Sequence, residues 1–369
     1  MYDVLIVGAG LFGCTMADLL KKSGRKVLVI DKRSHIGGNC YTEEINGITV
    51  HKYGAHIVHT SDSRVWKYLN TFTEFNRFTH APVAVYHGKP YNLPFNMNTF
   101  SRLYGVTTPS QAEECIQADI VPCAEPKNLE EKALSLVGRR IYEKLIKEYT
   151  EKQWGVDCRE LPPEIITRLP LRMTYDNDYF NDEYEGIPKY GYTEIFQKML
   201  YGCHVMLETP FTEELANQAK LIVYSGSIDE YFGYCYGALD YRSLRFETVE
   251  FLEKNVQGAA VVNYTDADLG FTRTIEHKHF DRHCEAETSI LTYEYPASYD
   301  AFKDIPYYPI NNERNNAIYA KYKALAESCK NVFFGGRLGS YRYLDMDDTI
   351  MDAFELFERI EAEWMKKEE

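Results

Sequence analysis

The sequence predicts an α/β protein in which a discontinuous Rossmann-like dinucleotide-binding domain carries a helical domain and an antiparallel β-sheet domain. Three observations predict it. The first thirty residues spell strand, glycine turn, helix and strand; the middle of the chain passes from helical apolar spacing to alternation; and strand and glycine elements return late in the chain. The expected boundaries are 1–78, 190–240 and 320–369 for the dinucleotide domain, 97–180 for the helical domain, and 79–96 with 241–319 for the sheet domain.

The opening unit can be justified residue by residue. Asp3-Val4-Leu5-Ile6-Val7 is an apolar run that enters Gly8-Ala9-Gly10-Leu11-Phe12-Gly13. An amphipathic helix broken by Gly24 follows, then a second strand, Val27-Leu28-Val29-Ile30, ending at Asp31. Gly8 permits the tight turn, Gly10 lets backbone approach a pyrophosphate, and Gly13 lets helix and strand pack closely. The helix N-terminus offers unpaired N–H groups and a positive dipole to the phosphates. Asp31 is placed to accept a bond from an adenosine ribose hydroxyl, and a carboxylate there disfavours the 2′-phosphate of NADP.

Composition removes several function classes. The 369 residues carry 41 Lys plus Arg against 55 Asp plus Glu, a formal charge of −14 that disfavours nucleic acid or an anionic membrane as partner. Local arginines must therefore bind any phosphorylated ligand against the overall field. Nine scattered cysteines without a CxxC pair point to a reducing cytoplasm and no zinc site. A strand at the N-terminus argues against a signal peptide, and no apolar run approaches the ~18 residues of a membrane span. Thirty tyrosines, many outside core patterns, are unusual.

After Asp31, the loop through His35-Ile36-Gly37-Gly38-Asn39 carries a glycine pair that permits close backbone approach. Gly54-Ala55-His56-Ile57-Val58-His59 sets two histidines three apart beside a glycine. Pro82–Tyr86 and Pro90–Leu93 flank a turn and read as a hairpin that begins a second sheet. Ala133, Leu134, Leu136, Val137, Ile141, Leu145 and Ile146 form a stripe at helical spacing that ends near Tyr149, with a break at Gly155. Prolines at 162, 163 and 170 then punctuate a stretch carrying Arg168 and Arg172, a candidate mobile loop. Asp176–Asp182 is a polar loop bearing aromatics.

Gly191 opens a helix through Leu200, His204–Leu207 is strand-like, and Leu221–Tyr224 is a buried strand, so the chain is expected to return to the first domain. Residues 242–295 alternate as an antiparallel sheet with one covered face, in which Arg273, Ile275, His277 and His279 share a face. Val332–Phe334 is a short strand before the glycine turn Gly335–Gly339, and Asp345–Thr349 leads into a final helix. A second glycine element far from the first suits a long cofactor such as FAD better than NAD.

With these pieces in place the sequence resembles the UDP-galactopyranose mutases in their shorter bacterial form, flavoproteins of amine-oxidase-like architecture. The motifs that carry the resemblance are GxGLFG at the start, His-Ile-Gly-Gly-Asn at 35–39, Gly-Ala-His-Ile-Val-His at 54–59 and Tyr-Thr-Glu-Lys-Gln-Trp-Gly at 149–155. They continue with Arg168-Leu169-Pro170, Arg273 before Ile-Glu-His-Lys-His, Pro306-Tyr307-Tyr308-Pro309, and Gly-Gly-Arg-Leu-Gly-Ser-Tyr-Arg-Tyr at 335–343.

The resemblance implies a non-redox use of reduced FAD. Flavin N5 attacks the anomeric carbon of UDP-galactopyranose, UDP leaves, and the sugar opens and recloses as a flavin adduct before UDP recaptures it as the furanose. It implies catalytic roles for Arg168, Arg273, His56 and His59, the arginines clamping the diphosphate and the histidines lying close to the flavin, where a donor stabilises the anionic reduced ring. Substrate contacts are implied for His80, Tyr149, Thr150, Trp154, Tyr179, Asn263, Tyr308 and Tyr343. His80 stands where the family has an amide.

FAD contacts are implied for Gly8, Gly10, Phe12, Gly13, Asp31, Lys32, Gly38, Asn39, His56, Ile57, Arg337, Leu344, Asp345, Met346 and Thr349. A cytoplasmic homodimer is the expected form. Two other functions remain open on the residues alone: an FAD oxidase or dehydrogenase of the same fold, and a non-catalytic UDP-sugar or flavin sensor. Neither needs the arginine and tyrosine set for turnover.

Overall fold

A computed structural model describes residues 1–166 and 171–368. Two sheets organise it. The first has five parallel strands in the order Val332–Phe334, Ala219–Tyr224, Tyr2–Val7, Val27–Ile30, His204–Met206. Val4–Val7 and Val27–Ile30 are buried along their length, which is why they read as continuous apolar runs. The helix Leu11–Lys22 covers one face. Its Met16 and Leu20 join Ile350, Ala353, Leu356 and Ile360 of the last helix, Met346–Glu368, in one core. The chain thus comes back twice to a sheet that its first thirty residues begin.

The second sheet has seven strands in the order Tyr308–Pro309, Tyr241–Phe251, Ser289–Ala297, Arg273–Glu276, Val261–Tyr264, Val83–Tyr86, Lys89–Asn92. Its pairings are antiparallel except that Val261–Tyr264 runs parallel to Val83–Tyr86. Antiparallel neighbours can share a tight turn, whereas a parallel pair needs a long connection. Here that connection contains the helices Met97–Tyr104, Pro109–Asp119, Leu129–Val137 and Lys147–Trp154.

Three local expectations are corrected. The apolar stripe of residues 133–146 is not one helix: Gly138, at φ +78°, ends Leu129–Val137, and a new helical run continues through a π turn at Tyr142–Ile146. The strand from Arg273 stops at Glu276, because His277–Phe280 curls into a 3-10 turn that buries His277 and Phe280. His277 and His279 therefore do not continue the face of Arg273. Gly336–Gly339 is a short helix rather than an open turn.

Candidate functional site

The turn after Tyr2–Val7 and the start of the last helix enclose a cavity of about 500 Å³. Gly8, Gly10, Phe12, Asp31, Lys32, Gly38, Asn39, His56, Arg337, Leu344, Met346 and Thr349 line it, as expected of a cofactor bed. Gly13 does not line it; a Cβ there would sit 1.9 Å from the Gly8 carbonyl oxygen, so this glycine serves the closure of helix on strand. A Cβ on Gly38 would lie 2.9 Å from the Gly10 Cα, and the Gly37 N–H donates to the Ala9 carbonyl at 2.7 Å. The Gly8–Gly13 turn and the Gly37–Gly38 pair are therefore one surface.

That surface fits FAD. Gly10 caps the helix Leu11–Lys22 without a side-chain bond, which leaves first-turn N–H groups for a pyrophosphate. Asp31 lines the bed while its carboxylate also accepts the Ala9 N–H at 2.7 Å and the Arg33 N–H at 2.8 Å, so the ribose acid also orders the turn.

A second cavity, of about 430 Å³, shares Asn39, His56, Tyr307, Arg337 and Met346 with the first. His59, His80, Tyr149, Thr150, Trp154, Tyr179, Asn263, Arg273, Tyr308 and Tyr343 all line it, as do Ile57 and Asp345, which were expected beside the cofactor. Arg168 lies outside the described residues. Elements from all parts of the chain meet here: the helix Lys147–Trp154 brings Tyr149, Thr150 and Trp154, the strand Val261–Tyr264 brings Asn263, and the strand Arg273–Glu276 brings Arg273.

Arg273 is held from two sides. Its guanidinium donates to the Tyr149 hydroxyl at 3.3 Å and forms an ion pair with Glu294 at 3.4 Å. Burial is the largest single influence and works against its charge, but Glu294, Tyr149 and Tyr308 together outweigh it and keep the guanidinium well above its ordinary value. Burial pushes the Glu294 carboxyl up, against the pull of Arg273. Burial likewise raises the Tyr179, Tyr308 and Tyr343 phenols, so all three are neutral hydroxyl donors. The Asn263 Oδ1 is buried with no hydrogen-bond partner among the described residues, an acceptor open to a ligand hydroxyl.

At the cofactor bed, His56 presents an acceptor rather than the expected donor. His56 Nδ1 lies 2.9 Å from the Gly54 carbonyl, which can only accept, so Nδ1 carries the proton and Nε2 offers a lone pair. Burial lowers its pKa to about 4. His59 lines the second cavity and not the cofactor bed; its Nδ1 pairs with Asp182 at 2.8 Å and its ring stacks on Phe180 at 3.7 Å. Burial lowers His80 to about 3, leaving a neutral ring against Phe180 and Tyr179. Glu294, Phe180 and Tyr307 are site residues that the sequence reading missed. Alternation in the strand containing Glu294 was visible, but not which face was covered.

Comparison with known proteins agrees with this geometry. A UDP-galactopyranose mutase family model matches residues 144–343, and an NAD(P)-binding Rossmann-like domain model matches residues 6–72. The chain is 40% identical to a probable UDP-galactopyranose mutase of Klebsiella pneumoniae, over 95% of this chain and 92% of that protein. It is 39% identical to a dTDP-fucopyranose mutase of Escherichia coli, over 96% and 97% of the two chains. A crystal structure of reduced UDP-galactopyranose mutase superposes with a TM-score of 0.76 at 15% identity, covering 98% of this chain and 96% of that one, a likeness of fold.

Proposed function

The chain belongs to the UDP-galactopyranose mutase family, and we propose that it interconverts UDP-galactopyranose and UDP-galactofuranose with reduced FAD as cofactor. The observation that carries this reading is the junction: a dinucleotide bed opens through five shared residues onto a chamber with a pinned arginine and neutral phenols. Reduced FAD supplies the nucleophile for the anomeric carbon at its N5. The side chains bind, orient and neutralise. Arg273 balances the diphosphate as it departs, each charge-assisted bond contributing about 1.5–3 kcal/mol.

Tyr179, Tyr308 and Tyr343 donate hydroxyls to phosphate oxygens, and Tyr149 and Trp154 flank the base. Arg168, on its proline-punctuated stretch, completes the clamp. The same pocket has no need of a serine or cysteine nucleophile, because the reactive atom belongs to the cofactor. We also assign the protein to the cytoplasm, as a homodimer; among the described residues no helix is long and apolar enough to cross a membrane.

A second substrate has a specific observation behind it: the 39% identity to a dTDP-fucopyranose mutase stands level with the 40% to a probable UDP-galactopyranose mutase. The test is to reduce the purified flavoprotein anaerobically with dithionite and chromatograph UDP-galactofuranose and dTDP-fucofuranose after incubation. Appearance of UDP-galactopyranose supports the reading, conversion of the fucose compound alone replaces the substrate, and tight UDP binding with no conversion of either leaves a sensor. Arg168→Ala is expected to lower turnover strongly with FAD still bound.

A further inference from the structure

His51 ends the strand Ile48–His51 and is 1% exposed. Its Nδ1 accepts the backbone N–H of His56 at 3.2 Å, and its own backbone N–H donates to Nδ1 of His277 at 3.2 Å. The Nε2 of His277 lies 2.8 Å from the Thr292 hydroxyl. A neutral ring whose Nδ1 accepts carries its proton on Nε2. For His51 that Nε2 is buried and lacks a hydrogen-bond partner among the described residues. The ring stacks on Phe280 at 4.5 Å and meets Tyr192 edge-on at 5.6 Å. A phenylalanine would fill this slot without an orphaned donor, so packing alone gives no reason for histidine here.

The reason lies in the turn that follows. Gly54, at φ +97°, leads into His56, whose Nδ1–H donates back to the Gly54 carbonyl. The His56 carbonyl accepts the Tyr192 hydroxyl at 2.9 Å. His51 and Tyr192, ring against ring, therefore hold the two backbone polar groups of His56. A Cβ on Gly54 would stand 3.4 Å from Glu294 Oε2, so the turn is also confined on its far side.

We propose that His51 is a positioning residue for the reaction: as a neutral Nδ1 acceptor it fixes the Gly54–His56 turn, so that His56 keeps an unprotonated Nε2 at the junction of the cofactor and substrate cavities. The proposal rests on the FAD reading above. Burial keeps all three rings neutral, holding His51 well below its ordinary value, His277 at about 3 and His56 at about 4. Small displacements of a positioned group are expensive in rate, which gives the acceptor its worth.

The test compares His51→Asn, which keeps an acceptor oxygen near the Nδ1 position, with His51→Phe, which keeps the ring volume. His51→Asn is expected to retain the midpoint potential of bound FAD. His51→Phe is expected to fold, bind FAD, shift that potential and lower kcat roughly tenfold to a hundredfold with little change in KM. The opposite ranking, Phe wild-type-like and Asn impaired, makes His51 a packing residue and overturns the proposal.

The ring-nitrogen ¹⁵N resonances of the FAD-free protein are a separate readout and hold even where a variant fails to fold. Unprotonated Nδ1 on His51 with unprotonated Nε2 on His56 is expected; a protonated Nδ1 on His51 overturns the assignment. A wild-type protein that binds no FAD instead sinks the functional reading, and leaves the ¹⁵N result to judge His51 by itself.

Discussion

Replacing Arg273 by Met isolates the charge that the substrate cavity is built around. Arg273 and Glu294 are cross-strand partners in register, and Glu294 is 1% exposed, so Arg273→Met leaves a carboxylate in an apolar sheet without its cation. Removing one member of a buried pair costs about 3–5 kcal/mol. The Arg273 side chain is 25% exposed, which favours the lower end, about 3 kcal/mol. For a chain of 369 residues the specific unfolding entropy converts this to a Tm fall of about 4 °C.

The sign with pH follows from Glu294. Burial already raises its carboxyl, and losing Arg273 raises it further. A carboxyl with a raised folded value gives stability that is fully present below its unfolded pKa of about 4.3 and is lost as pH rises through the folded value. Arg273→Met should therefore melt farther below wild type at pH 8.5 than at pH 5.5, and Arg273→Met/Glu294→Gln should recover most of the difference. Turnover of both variants should fall about 10- to 150-fold, the rate equivalent of 1.5–3 kcal/mol of lost diphosphate binding. Differential scanning calorimetry at the two pH values, with chromatographic turnover, measures both. A pH-independent Tm loss, or a double variant no more stable than the single one, refutes the electrostatic account of Arg273.

Other outcomes follow from the same geometry. His56, lowered to about 4 by burial, contributes stability present above its unfolded pKa of about 6.5 and lost as pH falls through about 4. Urea midpoints should thus drop between pH 7 and pH 5, with a shallower drop in His56→Asn. A Cβ at position 10 meets only the Gly38 Cα, at 3.8 Å, whereas one at position 13 lies 1.9 Å from backbone oxygen. Gly10→Ala should fold normally yet retain less flavin, while Gly13→Ala should lose Tm as well, as flavin-to-protein absorbance ratios and thermal melts will show. Lys152 Nζ donates to the carbonyls of Tyr264, Asp266 and Leu269 at 2.9, 2.9 and 3.1 Å, tying the Tyr149–Trp154 helix to the sheet. Lys152→Met should destabilise by about 1–3 kcal/mol through the orphaned carbonyls and raise KM more than it lowers kcat.

The dinucleotide cradle was legible because its chemistry is local. The φ angles that glycine permits, the helix start and the acid at the strand end all lie within one βαβ unit, and residues 2–31 form it as read. Most of the residues to which the resemblance assigned expected roles also line the two cavities. Glu294 was not legible. It sits in the alternating run Thr292-Tyr293-Glu294, and alternation cannot say which face a distant strand will cover.

A register shift of one residue against Arg273–Glu276 would turn Glu294 outward and set Tyr293 or Tyr295 opposite Arg273. The donor role expected of His56 gives way for a related reason: its tautomer is dictated by the Gly54 carbonyl, in a turn held by the neighbouring His51 and by Tyr192 from a distant helix. The sequence by itself therefore determined the cradle and its two late returns, because periodicity and turn geometry act between near neighbours, and the family of chemistry only through the resemblance that its motifs carry. Only the tertiary structure decided how Arg273 is charged, which nitrogen of His56 is free and where the two cavities join. Those depend on the strand register that sets Glu294 opposite Arg273, and on distant segments that bring Tyr149 to Arg273 and Tyr192 to the His56 turn, and local periodicity encodes neither.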